Sequence, residues 1–148
     1  MIQILDSGDM KLIQDLLNRK GNHYLNELVR NESYFRTGLF TSEIIAIGEI
    51  ENDSIKSMLC VSVPLGTNNP ARSMNALCIP YDAPFMNEAM KEIGDVIELN
   101  NYSKIEAFVN METSGQAIKC LEKIGFVKEA RLKNDKVEYE IWSMFFQR

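Results

Sequence analysis

Between Glu43 and Ile79 the chain carries three strand-like runs in succession, and no other stretch restricts the possible folds as strongly. The first, Glu43 to Glu51, is rich in isoleucine, and the second runs from Ile55 to Val63. Asn52-Asp53-Ser54 between them has the chemistry of a tight hairpin turn, because Asn and Asp tolerate the positive φ such turns require. The third run, Arg72 to Ile79, follows a turn-forming cluster at 64–71, Pro-Leu-Gly-Thr-Asn-Asn-Pro-Ala, which reads as a loop within one domain.

The flanking periodicities complete the order. Ile2 to Leu5 form a short strand. From Asp9, a candidate N-cap, Met10, Ile13 and Leu17 make one helical face with Leu12 and Leu16 beside them, and Gly21 interrupts it. Tyr24, Leu25, Leu28 and Val29 suggest a second short helix ending near Asn31. Pro84 suits the start of a helix, where its missing N–H is not needed. Phe85, Ala89, Ile93 and Ile97, with Met86, Met90 and Val96, line one side of that helix to about Asn100. Ile105, Ala107 and Val109 alternate along a half-buried strand, Lys104 to Asn110. Ser114 caps a helix with the inner face Ala117, Ile118, Leu121 and Ile124, and Gly125 stops it.

Phe126 to Leu132 and Val137 to Phe146 are strands joined by Lys133–Lys136. In the last of them the apolar phase moves from Val137, Tyr139 and Ile141 to Trp142, Met144 and Phe146, which predicts a bulge. The order is β-α-α-β-β-β-α-β-α-β-β. Three consecutive strands followed by helices interleaved with strands call for an α/β (α+β) domain. Its mixed central sheet has about seven strands, with helices on both faces. At 148 residues this is one domain, 1–148.

Charge narrows the partners. The chain has 16 Lys+Arg against 21 Asp+Glu, a formal net charge of −5, and no basic run. Non-specific nucleic-acid binding depends on dense Lys and Arg, so no nucleic-acid partner is expected. No stretch approaches the ~20 apolar residues of a membrane-spanning helix. The opening residues lack the basic region of a signal peptide. Cys60, Cys78 and Cys120 are odd in number, far apart and set in apolar runs, as reduced core thiols are. A cytoplasmic protein is expected.

The segment Ser114-Gly-Gln-Ala-Ile-Lys-Cys-Leu-Glu-Lys-Ile-Gly-Phe-Val-Lys-Glu-Ala-Arg-Leu132 resembles the C-terminal signature of the GNAT acetyltransferases, N-x-x-A/S-x-x-(hydrophobic)-L/Y-E-K-L-G-F-x-x-E-G-x-L. Leu121-Glu-Lys-Ile-Gly-Phe126 is most similar to the branch that acetylates ribosomal-protein N-termini. The element order also matches the GNAT fold along the chain. The resemblance implies a splayed V between Arg72–Ile79 and Lys104–Asn110 that holds acetyl-CoA. It implies pantetheine pairing with Leu77, Cys78 and Ile79, phosphate contact from Phe85, Met86 and Asn87, and Ser114 beside the thioester. The activity implied is acyl-CoA-dependent N-acyl transfer to a primary amine of a small molecule or a protein N-terminus, by direct attack on the thioester. The alternative is a non-catalytic GNAT-fold binding or regulatory module without acetyl-CoA.

The family's phosphate loop reads roughly V-x-P-x-x-R/Q-G-x-G-x-G/A, because glycines let backbone amides approach a diphosphate and a basic residue offsets its charge. Here the run is Cys78-Ile-Pro-Tyr-Asp-Ala-Pro-Phe-Met-Asn-Glu88, with no glycine, and no Lys or Arg occurs from Ser73 to Met90. Asp82 and Glu88 add negative charge. Like charges ~4 Å apart cost about 1 kcal/mol in water and several times that near a protein surface.

A direct transfer needs a base for the amine and donors for the oxyanion. The candidate catalytic residues are Ser114, Asp82 and Glu49, with Glu51 beside Glu49. Asp82 and Ser114 also suit helix caps. Leu121, where many GNAT enzymes have tyrosine, has no proton to donate. Cys120 is a core residue by its neighbours. His23 and Glu27, at i and i+4, supply too few ligands for a zinc site. The aromatic run Trp142–Phe146 is most simply strand core, though on a sheet edge it could serve a homodimer.

Overall fold

The computed structural model describes residues 2–20, 32–62, 72–113, 115–133 and 136–146. The helix expected at 24–31, the loop at 64–71, the pair His23/Glu27 and Ser114 lie outside these residues. The described elements are β1 (Ile2–Leu5), α1 (Met10–Lys20), α2 (Glu32–Thr41), β2 (Ile44–Glu51), β3 (Ser54–Ser62), β4 (Ser73–Ile79), α3 (Ala83–Glu92), α4 (Gly94–Asn100), β5 (Lys104–Asn110), α5 (Gly115–Ile124), β6 (Val127–Lys133) and β7 (Glu138–Phe145). Short 3-10 turns precede α1 (Ser7–Asp9) and α5 (Met111–Thr113).

Local chemistry explains most of these boundaries. Asp6, rather than Asp9, begins the first helical segment. Its side chain accepts from the Gly8 amide at 2.8 Å, and Asp9 returns a bond to the Asp6 amide at 2.9 Å. Asn52 and Asp53, at φ 54 and 60, form the two-residue turn that joins Glu51 to its partner Ser54. The helix expected from Pro84 to Asn100 is two helices. Ile93 leaves helical geometry at φ −97, ψ 4, next to Gly94, which weakens helix propagation. Glu32–Thr41 is helical although its sequence shows only a weak apolar stripe. Phe35 and Leu39 are buried one turn apart, and Gly38 allows α2 to approach Ile44, whose side chain would meet a Cβ there at 2.7 Å.

The seven strands lie in the order β1-β2-β3-β4-β5-β7-β6, as a mixed sheet. Every neighbouring pair is antiparallel except β4 and β5. Alternation divides the side chains between two cores. Ile47, Leu59, Met74, Ala76, Cys78, Ile105, Ala107 and Trp142 pack with α3 and α5 on one face. Ile44, Ala46, Met58, Cys60 and Ile79 pack with α1 and α2 on the other.

The bulge expected in the last strand lies in its partner. β7 pairs with β5 without interruption from Phe145 to Tyr139. On β6, Lys128 to Ala130 spans the single step from Trp142 to Ile141, so Glu129 is the extra residue. The phase change of β7 has another cause. β7 is an interior strand with two apolar faces, so Trp142 enters the α3/α5 core while Ile141 aligns with Phe108 on the opposite face. The aromatic run is therefore not on an edge; the edge strands are β1 and, beside β7, β6.

On that opposite face the ammonium of Lys104 bonds Glu106 at 3.0 Å and Glu129 at 2.8 Å, and the Ser143 hydroxyl donates to Glu129 at 2.5 Å, which ties β5, β6 and β7 together. The bonds from Lys104 and Ser143 hold the Glu129 carboxyl below its usual range. Burial opposes the charge of Lys104, but its bonds to Glu129 and Glu106 outweigh this and raise its pKa. A carboxyl depressed by folding stabilises above its unfolded value and loses that contribution as pH falls through its folded value; a raised lysine loses its share as pH rises through its own folded value. The Glu129→Gln variant should therefore lose less stability than the parent between about pH 5 and pH 3, read from urea midpoints.

Gly125 ends α5 at φ 104, with the Phe126 amide bonded back to the Leu121 carbonyl at 2.9 Å. An L side chain is strained at this angle whatever the space around it. Gly125→Ala should cost about 1–2 kcal/mol of unfolding free energy, measured by urea denaturation.

Candidate functional site

The site follows from where β4 and β5 stop pairing. Their parallel ladder runs from Ser73/Lys104 to Ala76/Ala107 and ends there. β4 continues through Leu77, Cys78 and Ile79, paired only with Cys60, Leu59 and Met58 of β3. β5 continues through Phe108, Val109 and Asn110, paired with β7. Two strands that begin side by side and then follow different partners enclose a V, as the family resemblance implied. One backbone edge of Leu77–Ile79 borders it.

The closed end is fastened by Arg72, at φ 48. Its carbonyl accepts from the Ser103 amide at 2.8 Å. Its guanidinium donates to the Asn101 carbonyl at 2.9 Å and to the Asn100 carbonyl, and lies 5.8 Å from the centre of the Tyr102 ring. The C-terminal carbonyls of α4 are thereby bonded to a cation, the favourable sign for that end of a helix.

At the open end Asp82 begins α3. Its Oδ2 accepts from the Phe85 amide at 3.1 Å, and its carbonyl accepts from the Met86 amide at 2.9 Å. Pro84 has no amide hydrogen. Three of the first four positions of α3 thus direct no amide at a ligand. Phe85 and Met86 point their side chains into the α3/α5 core, while Asn87 and Glu88 are exposed. The sequence alone does not single out Gln116, on the first turn of α5. Its Nε2 donates to the Tyr81 carbonyl at 2.8 Å and joins the β4–α3 linker to α5 across the mouth of the V.

The candidate residues are only partly brought together. Leu77, Cys78, Ile79, Asp82 and Phe85 lie along the β4 wall and its helix. Glu49 is half-buried on β2, opposite Ser57 of β3, one residue beyond the Met58/Ile79 pair. It shares the α3 side of the sheet, but β3 separates it from β4, two strand spacings or about 10 Å. Glu51 is exposed at the hairpin. Leu121 is fully buried. Cys120 is buried, and its thiol is pushed up to about 11 by burial and by the nearby Asp82 charge. Cys78 is raised further by burial, and its sulfur donates to the Pro80 carbonyl at 3.3 Å. Both are protonated thiols at neutral pH, and only the thiolate is a strong nucleophile. Among the described residues, no group of three His, Cys, Asp or Glu could hold a metal, and no helix is long and apolar enough to cross a membrane.

The acetyl-CoA implied by the sequence resemblance fits this site in part. The edge of Leu77–Ile79, which has no strand partner among the described residues, suits an amide-containing pantetheine arm, because an extended chain can bond to a free strand edge. The start of α3 does not suit a diphosphate, because the Phe85 and Met86 amides are engaged, Pro84 has none, and the Asp82 carboxylate lies beside them. An N-cap carboxylate should show itself in stability: Asp82→Ala is expected to cost about 1 kcal/mol and Asp82→Asn much less, by urea unfolding.

The sequence matches no protein-family model and no curated protein. Its structure is similar to several solved ones. A probable acetyltransferase from Staphylococcus epidermidis superposes with a TM-score of 0.80 at 14% identity, covering 99% of both chains. The ribosomal-protein-S5-alanine acetyltransferase of Vibrio fischeri gives 0.70 at 16% identity, covering 97% of this chain and 91% of that one. Salmonella typhimurium yncA with its cofactor acetyl-CoA gives 0.69 at 11% identity, covering 98% and 92%. The seven-stranded mixed sheet, split between β4 and β5, is the fold of the GNAT acetyltransferases.

Proposed function

We propose that this protein is an N-acyltransferase that moves an acyl group, acetyl in the simplest case, from a pantetheine thioester such as acetyl-CoA to a primary amine. The acceptor belongs to a small molecule or to a protein N-terminus. The observation that carries this reading is the end of β4–β5 pairing at Ala76/Ala107, which exposes one backbone edge of Leu77–Ile79 inside a fold shared with acetyltransferases.

The donor, when bound, supplies a thioester already activated toward an amine, so the protein's part is positioning. Leu77 to Ile79 hold an extended arm by strand-like pairing, and β3 keeps that wall rigid. The attacking ammonium must lose a proton. Asp82 and Glu49 are the carboxylates we assign to that transfer, Asp82 at the mouth and Glu49 through bridging water. Asp82 uses only Oδ2 in capping α3. Ser114, which precedes Gly115 in the sequence, is the hydroxyl we assign to the departing thiolate.

The test is incubation of the protein with acetyl-CoA and a panel of amines: polyamines, amino-acid amides and peptides with free N-terminal alanine or serine. Thiol release is followed and products are identified by mass. Acetylation of at least one amine above the protein-free rate, reduced about tenfold or more by Asp82→Ala or Glu49→Gln, is the expected result. No transfer to any amine by folded protein at millimolar donor would leave the non-catalytic reading in its place.

A further inference from the structure

The mouth of the V combines features that bear on which part of a donor is recognised. The Asp82 carboxylate occupies the Phe85 amide, its carbonyl occupies the Met86 amide, and Pro84 contributes none. Every residue from Thr67 to Ile93 carries a side chain, so no glycine lets a bulky anion approach the backbone closely. No Lys or Arg stands between Ser73 and Met90, whereas Asp82 and Glu88 are both exposed there. Across the mouth, the Gln116 amide group is directed to the Tyr81 carbonyl, so this donor too is bonded within the chain. Lys119, three residues along α5, is the one cation on the first turns of that helix. The opposite state holds deeper in the V, where the Leu77–Ile79 edge has no strand partner among the described residues.

We infer that the donor site recognises the pantetheine thioester arm and makes no net favourable contact with the nucleotide diphosphate. The chain therefore accepts acyl-pantetheine thioesters as a class, with or without the nucleotide. This rests on the acyltransferase reading above and specifies its donor. A diphosphate would have to displace a tethered carboxylate from the Phe85 amide while remaining near its charge. The tether gives that carboxylate a high effective concentration, against which a free ligand competes poorly.

Calorimetric titration of the whole chain with acetyl-CoA and, separately, with S-acetylpantetheine tests this without depending on turnover. Dissociation constants within about threefold of each other are expected, where a diphosphate held by several amides would separate them by a hundredfold or more. Asp82→Asn removes the charge and keeps a cap. Asp82→Gly also frees the Phe85 amide, and glycine is tolerated at this helix position. Both should tighten acetyl-CoA, the glycine variant by about tenfold, and leave S-acetylpantetheine unchanged. Acetyl-CoA binding thirtyfold or more tighter than S-acetylpantetheine in the parent would overturn the inference and leave the acyltransferase reading standing. Equal responses of the two donors to both Asp82 variants would also overturn it. Binding of neither donor up to about 10 mM by folded protein would remove the acyltransferase reading, and this inference with it.

Discussion

The four-residue parallel ladder from Ser73/Lys104 to Ala76/Ala107 joins two antiparallel sub-sheets, and the site depends on it. Each half is continuous by itself. β1 to β4 form one antiparallel run, and β5, β7 and β6 the other. With more pairing between β4 and β5 the V would close and the Leu77–Ile79 edge would be satisfied by β5. With less, the two halves would share a core but no backbone registry. Arg72 holds this balance at the closed end through its bonds to Ser103, Asn100 and Asn101. A short parallel ladder is among the less stable pairings per residue, so its reinforcement by side-chain bonds at one end is physically reasonable.

The two cores keep the halves in place. Alternation along β4 sends Met74, Ala76 and Cys78 toward α3 and α5, and Ile79 toward α1 and α2, so one strand anchors both layers. The side chains of β4 are therefore packed on both faces, while one backbone edge of its last three residues has no strand partner among the described residues. That combination gives a rigid wall with hydrogen-bonding capacity on one side, which is what an extended ligand needs.

The apolar periodicities and turn residues made most of this legible in the sequence. The hairpin at Asn52-Asp53, the alternation of Ile105, Ala107 and Val109, and the stop at Gly125 each rest on backbone chemistry that acts locally. The failures come from interactions that are not local. Gly94 divides a continuous apolar face because Ile93 serves both helices, which periodicity cannot show. The bulge at Glu129 lies on the strand opposite the phase change, because the second apolar face of β7 is explained by Phe108 across the sheet. Of the site, Asp82 as a cap was readable from its place before Ala-Pro. The Gln116–Tyr81 bond joins residues 35 apart and has no sequence signature.

The start of α3 shows why a shared fold does not fix what a site holds. An unoccupied helix N-terminus offers amides and a partial positive charge to any anion of suitable size. A residue of the chain and a ligand compete for the same donors, and whichever the sequence supplies intrinsically has the advantage of a covalent tether. Asp82 captures the Phe85 amide, and the gain is a fixed start for the helix that carries Phe85, Met86 and Ala89 into the core. The cost is that the Phe85 amide is no longer open to an anion. The strand edge deeper in the V is outside this competition, since among the described residues no strand pairs with it beyond Ala76. The two features therefore have separate origins: the strand edge follows from the topology, and the engagement of the helix start depends on one residue before it.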